Sequence, residues 1–308
     1  MVEEQISPGS REAAHPIQLF SSRSALPTLH EAERLPAMFE DSTHQLWRCE
    51  TSDGPMMLKI CQQRMQDKSG CWQIIENLFG RYLPRDLANI DAIQSTIEQH
   101  GRIPLPELVS WAGTSELFPA YILTRFVDGN MLEALHLNET IITQFATHIA
   151  QLHQLEYPYW GDLSQPQREA KRWSEALQQT LLDQAVISNI NQDWLVQALA
   201  QLEQLEPATF TPIMLDNRWD QYLFESDRIS ALVDIDAFVA GPRELELVLL
   251  EYQLDNRQAA LFCEIYNQYL PMPDLSKSRL SYRLLLFLMN ALGETDIDKW
   301  MQAQVRFR

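Results

Sequence analysis

Two aspartates and an amide in this chain lie at a spacing that suits phosphoryl transfer. Asp216 is followed five residues later by Gln221, and an apolar run after the turn at 226–228 ends at Asp234. Phosphoryl transfer requires a carboxylate beside the attacking hydroxyl and oxygen ligands for the Mg²⁺ ion that holds the nucleotide phosphates. Asp216 would orient or deprotonate the hydroxyl, while Gln221 and Asp234 would bind Mg²⁺. Asp236 is a secondary metal candidate.

The same residues also have a purely structural interpretation. Asp216, Asn217 and Asp220 are residue types common in turns, and Asp234 and Asp236 would then face solvent at the end of a strand. Kinase catalytic loops do place an Asn at this distance from an Asp, and a metal-binding Asp after a later strand. A short spacing is a weak match by itself, so the flanking segments must decide.

Several flanking segments occur in the order found in the aminoglycoside phosphotransferase and choline kinase-like family, which this chain resembles over residues 35–254. They are an apolar strand with one lysine (56–60), a proline-containing connection (103–109), a hinge-like strand (121–132), a helix ending in Leu-His (142–155) and an apolar strand that leads through Asp234 into a helix (231–247). Each segment matches loosely, and the resemblance rests on their order.

The resemblance implies an α+β, protein-kinase-like, two-lobed fold: a small amino-terminal lobe with an antiparallel sheet, a larger mainly helical carboxyl-terminal lobe, and the nucleotide between them. It predicts a loose tail at 1–20, the first lobe at 21–127 and the second at 128–308. The implied activity is ATP-dependent phosphorylation of a hydroxyl group on a small molecule, with ATP and Mg²⁺ as cofactors. Neither the acceptor nor the oligomeric state follows from the sequence.

Lys59 is the residue that the resemblance assigns to the nucleotide phosphates. A hairpin is predicted around Asp53-Gly54, and it places Lys59 near the end of its second strand. Such a lysine needs a carboxylate from a neighbouring helix, and Glu76 and Asp91 are the two candidates. Asp91 lies at a distance from the proline turn that suits the family better. A solvated helix face is the simpler interpretation of either acid taken alone.

The chain departs from the family inside the catalytic stretch. Met214-Leu215 stands where the family has His-Gly, and Gln221 replaces Asn, although its amide oxygen still suits a hard cation. The family's Gly-Asp-Pro has become Gly241-Pro242-Arg243-Glu244. These changes support an alternative: a degenerate kinase fold that binds nucleotide or a partner without catalysis.

Residues 160–206 show helical periodicity and resemble the inserted helical pair that shapes the acceptor pocket in this family. Aromatic residues in and before this pair either line a substrate site or pack in the core, and core packing is the simpler interpretation. These residues are Tyr157, Tyr159, Trp160, Trp173 and Trp194.

Composition excludes several other classes of protein. The chain has 308 residues and a formal net charge of −18, which disfavours nucleic acid as a partner. Its most apolar run, residues 280–292, has the length of a buried helix rather than of a membrane span. The four cysteines form no CxxC pair, and neither a zinc-hydrolase nor a serine-hydrolase motif is present. The first 16 residues lack an apolar core, so we expect a cytoplasmic protein.

Overall fold

The computed structural model describes residues 14–37, 42–62, 70–188, 190–203 and 205–307. Within these ranges the chain forms twelve strands and eleven α-helices. The strands are β1 (Leu29–Arg34), β2 (His44–Thr51), β3 (Gly54–Cys61), β4 (Leu108–Ala112), β5 (Tyr121–Arg125), β6 (Asn130–Met131), β7 (Tyr159–Asp162), β8 (Arg168–Glu169), β9 (Thr211–Met214), β10 (Tyr222–Glu225), β11 (Arg228–Leu232) and β12 (Phe238–Gly241). The helices are α1 (Pro16–Ser22), α2 (Gly70–Ile74), α3 (Leu83–Asp86), α4 (Ile90–His100), α5 (Glu139–His153), α6 (Trp173–Ser188), α7 (Gln192–Leu202), α8 (Arg243–Gln253), α9 (Asn256–Tyr266), α10 (Arg279–Leu288) and α11 (Ile297–Met301).

The chain divides into two compact units. The sheet unit contains the described residues within 1–63, together with 83–88 and 107–126. The helical unit contains those within 64–82, 89–106 and 127–308. The chain therefore passes from one unit to the other several times before it remains in the helical unit.

The sheet unit is built on an antiparallel sheet in the order β1-β2-β3-β5-β4. The hairpin predicted around Asp53-Gly54 is present, and Gly54 takes a φ of 97°, a conformation that glycine adopts without strain. Alternate residues of β3, including Leu58 and Ile60, are buried against one face. Since side chains alternate along a strand, Lys59 lies on the opposite face, where it is half-buried.

The predicted tail at 1–20 is described only from residue 14. Its last part forms α1, in which Leu19 and Phe20 are buried in the core of the sheet unit. Leu19 and Phe20 belong to the same buried apolar cluster as Met56 and Leu58 of β3. Removal of these apolar side chains from water holds the short helix against the sheet.

The helical unit contains two small sheets. One has the order β11-β10-β6 and includes the hairpin predicted between Gln221 and Asp234. Its turn residues Ser226 and Asp227 have φ values of 49° and 63°, the left-handed backbone conformation that a type I′ hairpin turn requires at both central residues. The other sheet has the order β8-β7-β12-β9 and lies beside α8. β12 was not predicted from the sequence.

Helices make up the rest of this unit, and they agree with the predicted pattern. α5 corresponds to the helix expected at 142–155, and α6 and α7 form the expected helical pair. Leu284, Leu285 and Leu286 of α10 are completely buried, as their continuous apolar run predicted. None of the helices in the described ranges is both long and apolar enough to cross a membrane.

Residues 70–82, before α3, belong to the helical unit. α2 continues as a π-helical turn, Ile75–Phe79, which contacts α6 and β7 and is ended by Gly80 at a φ of 79°. Phe79 packs edge-on against Trp160, and both Trp160 and Trp173 are fully buried. These two tryptophans therefore belong to the core, as the simpler interpretation predicted.

Candidate active site

Asp216 lies two residues beyond the end of β9, and pairing with the neighbouring strand fixes the position of the intervening Leu215. β9 runs antiparallel to β12 with Met214 opposite Phe238, and the N–H of Leu215 donates to the carbonyl of Ala237 at 3.3 Å. Asp216 follows Leu215 and lies close enough to Asp236 for the two carboxylates to interact electrostatically. Asp216 is half-buried, and its Oδ1 atom is occluded without a hydrogen-bond partner among the described residues.

The β10–β11 hairpin positions the two predicted metal ligands. Gln221 ends a 3₁₀ turn directly before β10, and its carbonyl accepts a hydrogen bond from the N–H of Val233 at 2.9 Å. Asp234 follows Val233, so strand pairing places Gln221 and Asp234 at the same end of the hairpin. Gln221 is buried and Asp234 is half-buried.

The three aspartates influence one another electrostatically. Burial and the negative charge of Asp234 raise the pKa of the Asp216 carboxyl from 3.8 to about 7, with a smaller contribution from Asp236. Arg218 opposes this increase in the pKa, and its guanidinium also donates two hydrogen bonds to the carboxylate of Asp220, at 3.0 and 3.2 Å. The structure thus brings the predicted catalytic and metal-binding carboxylates into one negatively charged site.

The composition of this site fits Mg²⁺ in the form in which it accompanies a nucleotide. No three His, Cys, Asp or Glu side chains in the described ranges could hold an ion together. Nucleotide-bound Mg²⁺ does not need such a cluster, because it takes one or two protein oxygens and completes its coordination with phosphates and water. Gln221 and Asp234 provide oxygen ligands, and the pKa of Asp216 is raised first by burial and then by the charge of Asp234, which a cation would offset.

The predicted nucleotide-binding residues occupy separate units. Lys59 is in β3 of the sheet unit, where it lies between Leu46 and Ile122 in the strand register. Glu76 is half-buried in the π-helical turn of the helical unit, and Asp91 is exposed in the first turn of α4. Their roles toward the nucleotide stay predictions.

A buried polar network that the sequence did not reveal supports the loop after Asp216. One carboxylate oxygen of Glu246 accepts hydrogen bonds from the N–H of Met214 at 3.0 Å and from the amide of Asn217 at 2.8 Å. Its other oxygen lies 2.8 Å from Nε2 of His153, whose Nδ1 lies 2.9 Å from the hydroxyl of Tyr266. The hydrogen bonds of His153 therefore give it a structural role. The one available signal for Glu246 was an acid within an apolar helical run.

A second buried group that was missed is Arg81. Its side chain is completely buried, and it hydrogen-bonds the backbone of Asp236 and the carboxylate of Asp162 at 2.7 and 2.6 Å. In the sequence, Arg81 follows Phe79-Gly80 in a segment with no assigned chemistry. Nothing local distinguishes it from an exposed arginine.

Comparison with known proteins identifies the fold. No protein-family model and no curated protein sequence matches the chain. Similar solved structures include a mutant of aminoglycoside phosphotransferase APH(4)-Ia in a ternary complex with ADP and hygromycin B, with a TM-score of 0.62, 14% identity and 93% of each chain covered. They also include ADP-bound aminoglycoside phosphotransferase APH(2'')-Ib, with a TM-score of 0.57, 12% identity, and coverage of 94% of this chain and 96% of that one. For macrolide 2'-phosphotransferase MphH from Brachybacterium faecium the TM-score is 0.57, the identity 13%, and the coverage 90% and 93%. The chain therefore has the protein-kinase-like fold of the aminoglycoside and macrolide phosphotransferases, as its sequence resemblance predicted.

Proposed function

We propose that this protein transfers the γ-phosphoryl group of ATP to a hydroxyl group of a small molecule. The observation that carries the proposal is that the charge of Asp234 acts on the buried carboxyl of Asp216, while the neighbour of Asp234, Val233, is hydrogen-bonded to Gln221. Similar structures that hold ADP, or ADP together with hygromycin B, support a nucleotide and a small-molecule substrate. Lys59 would contact the nucleotide phosphates, with Glu76 or Asp91 as its acidic partner.

Asp216 is suited to receive the proton of the acceptor. In the proposed reaction the acceptor oxygen bonds to the γ-phosphorus, the bond from that phosphorus to the ADP oxygen breaks, and the hydroxyl proton passes to Asp216. A pKa of about 7 leaves part of the Asp216 population ionised at neutral pH, as a general base requires. Gln221 and Asp234 would hold Mg²⁺, which when bound offsets phosphate charge.

The second candidate function is nucleotide binding without catalysis. It is favoured by the replacements within the catalytic stretch: Met214 and Leu215 are buried apolar residues where the resembled family has His-Gly. Gln221 also places its amide oxygen one methylene further from the backbone than Asn would. Binding and turnover are therefore tested separately.

Calorimetry with ATP, in Mg²⁺ and in EDTA, tests the binding half. ADP release in the presence of aminoglycosides, amino alcohols and sugars then tests turnover. If the protein shows no Mg²⁺-dependent ATP binding, both candidate functions are refuted, because both require a nucleotide-binding site. Binding without ADP release on any acceptor would favour the degenerate form.

Replacement of Asp234 tests the metal assignment. In Asp234→Ala we expect the Mg²⁺-dependent gain in ATP affinity to disappear, because a carboxylate ligand is lost. Calorimetry of the variant in Mg²⁺ and in EDTA measures this gain. Glu225→Ala is the matched control, since Glu225 is an exposed acid on the same hairpin, and it should retain the wild-type gain. Equal gains in Asp234→Ala and the wild type would contradict the assignment.

A further inference from the structure

Arg81 is held rigidly beside the candidate metal site. It follows Gly80, whose left-handed conformation ends the π-helical turn and directs the chain into the interior. Its Nε donates to the backbone carbonyl of Asp236 at 2.7 Å, and its Nη1 donates to Oδ2 of Asp162 at 2.6 Å. Asp162 is fixed in turn, because its Oδ1 accepts from the N–H of Ser164 at 2.8 Å and from the same residue's hydroxyl.

These contacts tie the carboxyl-terminal end of the Asp234–Asp236 segment, which carries the predicted metal ligands, to β7. Asp162 lies in β7 opposite Val239 of β12, and Asp236 comes just before β12. Other hydrogen bonds near Asp236 are longer: its N–H lies 3.3 Å from Oδ1 of Asp234, and the N–H of Phe238 lies 3.4 Å from the carbonyl of Ile235. The bond from the charged guanidinium is shorter, as expected for a charge-assisted hydrogen bond.

Stability alone does not account for a buried arginine at this position. Nη2 of Arg81 is occluded and has no hydrogen-bond partner within the described part of the chain. A buried donor without a partner costs free energy, and buried ion pairs are often no more stabilising than apolar residues of the same volume. Arg168 already anchors the preceding turn, since it donates to the carbonyls of Asn77 and Leu78 at 2.8 and 2.6 Å.

We propose that Arg81 is a positioning residue that fixes the Asp234–Asp236 segment in the conformation that binds Mg²⁺ and nucleotide phosphates. The inference rests on the proposed function for its ligand, and on the geometry of Arg81, Asp162 and Asp236 for its mechanism. Arg81 does not contact substrate; it acts through the backbone of Asp236. Arginine suits this role because its planar fork makes two hydrogen bonds in fixed directions, which the single ammonium of lysine does not reproduce.

Hydrogen exchange in the ligand-free protein tests the mechanical part. In Arg81→Met we expect faster exchange of the amides at 234–238, and unchanged exchange in α10. Arg168→Met is the matched control: it removes the β8 arginine that donates to Asn77 and Leu78 of the preceding turn, away from Asp236, so exchange at 234–238 should match the wild type. Faster exchange throughout Arg81→Met, with no excess at 234–238, would overturn the proposal.

Calorimetry with ATP, in Mg²⁺ and in EDTA, tests the functional part. Loss of a group that orients a metal ligand lowers metal affinity by about 10- to 100-fold, so Arg81→Met should lose about this much ATP affinity in Mg²⁺ and little in EDTA. Arg81→Lys should restore only part of the lost ATP affinity, because lysine keeps the positive charge but not the two directed hydrogen bonds of the guanidinium group. Equal losses in Mg²⁺ and in EDTA would overturn the positioning role.

The outcomes separate this inference from the proposed function. A wild-type protein without Mg²⁺-dependent ATP binding would refute the function, whereas unchanged exchange in Arg81→Met would refute the role of Arg81 even if ATP binds. If Arg81→Met does not fold, the variant Asp162→Asn is used instead. It weakens the ion pair between Arg81 and Asp162 but leaves the arginine in place. Asp162→Asn should then show faster exchange at 234–238, and wild-type exchange there would refute the role.

Discussion

Asp216 is a residue at which function and stability conflict. Its carboxyl is held near Asp234 and Asp236, and burial together with their charges raises its pKa to about 7. In the unfolded chain the same group has its ordinary pKa of 3.8, so the folded state keeps a proton that the unfolded state releases. The stabilisation from this group is therefore fully present below pH 3.8 and is lost as the pH rises through about 7.

Replacement of Asp216 by asparagine should remove this pH dependence. We expect the Tm of ligand-free Asp216→Asn to exceed that of the wild type at pH 8, and the difference to shrink toward pH 5. The variant should also lose any phosphotransferase activity. Tm measurements of both proteins from pH 5 to pH 8 check the first expectation. Asp227→Asn, an exposed turn residue whose left-handed conformation asparagine also tolerates, should follow the wild type; a constant Tm difference for Asp216→Asn would refute the electrostatic argument.

At the scale of elements, the sequence was informative where its signals are local. The Asp53-Gly54 turn, the β10–β11 hairpin and the apolar α10 each follow from composition and periodicity within one short stretch. The location of the acids followed as well, because a strand end and a residue spacing place them.

The buried residues that hold the loops of these acids in place were not predictable in the same way. Arg81 and Asp236 are 155 positions apart, and His153 and Glu246 are 93 apart, so no local pattern links either pair. A polar residue that is exposed and one that is buried with a distant partner look alike in the sequence. Only the packing of α5, α8 and the β3–α3 segment decides between them.

The contact between α5 and α8 gives a prediction for the network beneath the Asp216 loop. His153→Ala removes a partner of both Glu246 and the hydroxyl of Tyr266, and each buried polar group left unpaired costs about 1–3 kcal/mol. We therefore expect a loss of about 2–4 kcal/mol in the free energy of unfolding, measured by urea denaturation. Tyr266→Phe removes the contacts of this hydroxyl with His153 and Arg243 but keeps the bond between His153 and Glu246, and it should lose about 1 kcal/mol. If His153→Ala loses no more than Tyr266→Phe, Glu246 does not depend on His153.

At the scale of the whole molecule, the two units interleave along the chain. The sheet unit is assembled from three stretches of sequence, and residues 70–82 and 89–106 lie in the helical unit although they precede the last strands of the sheet. A cut at one position therefore cannot separate the two units. The residues that support the candidate site, from Arg81 to Glu246, all come from the helical unit.

The carboxyl terminus of the chain is tied into the helical unit by Glu251 of α8. This completely buried carboxylate accepts hydrogen bonds from Arg279 of α10 at 3.0 Å and Arg283 of α10 at 3.3 Å. It also accepts the backbone N–H groups of Arg306 at 3.0 Å and Phe307 at 2.9 Å. One side chain thus joins α8, α10 and the last described residues.

Glu251→Ala should consequently destabilise the protein as a whole. Arg283 is 2% exposed and would be left as a buried charge without this partner, which typically costs about 3–5 kcal/mol. Urea denaturation measures the loss. Glu264→Ala in α9 provides the control, because Glu264 is exposed and a surface substitution changes stability by about 0.5 kcal/mol or less. A loss in Glu251→Ala as small as in Glu264→Ala would mean that Arg279 and Arg283 find other partners, and that the terminus is held by the packing of Phe307 against Phe262 instead.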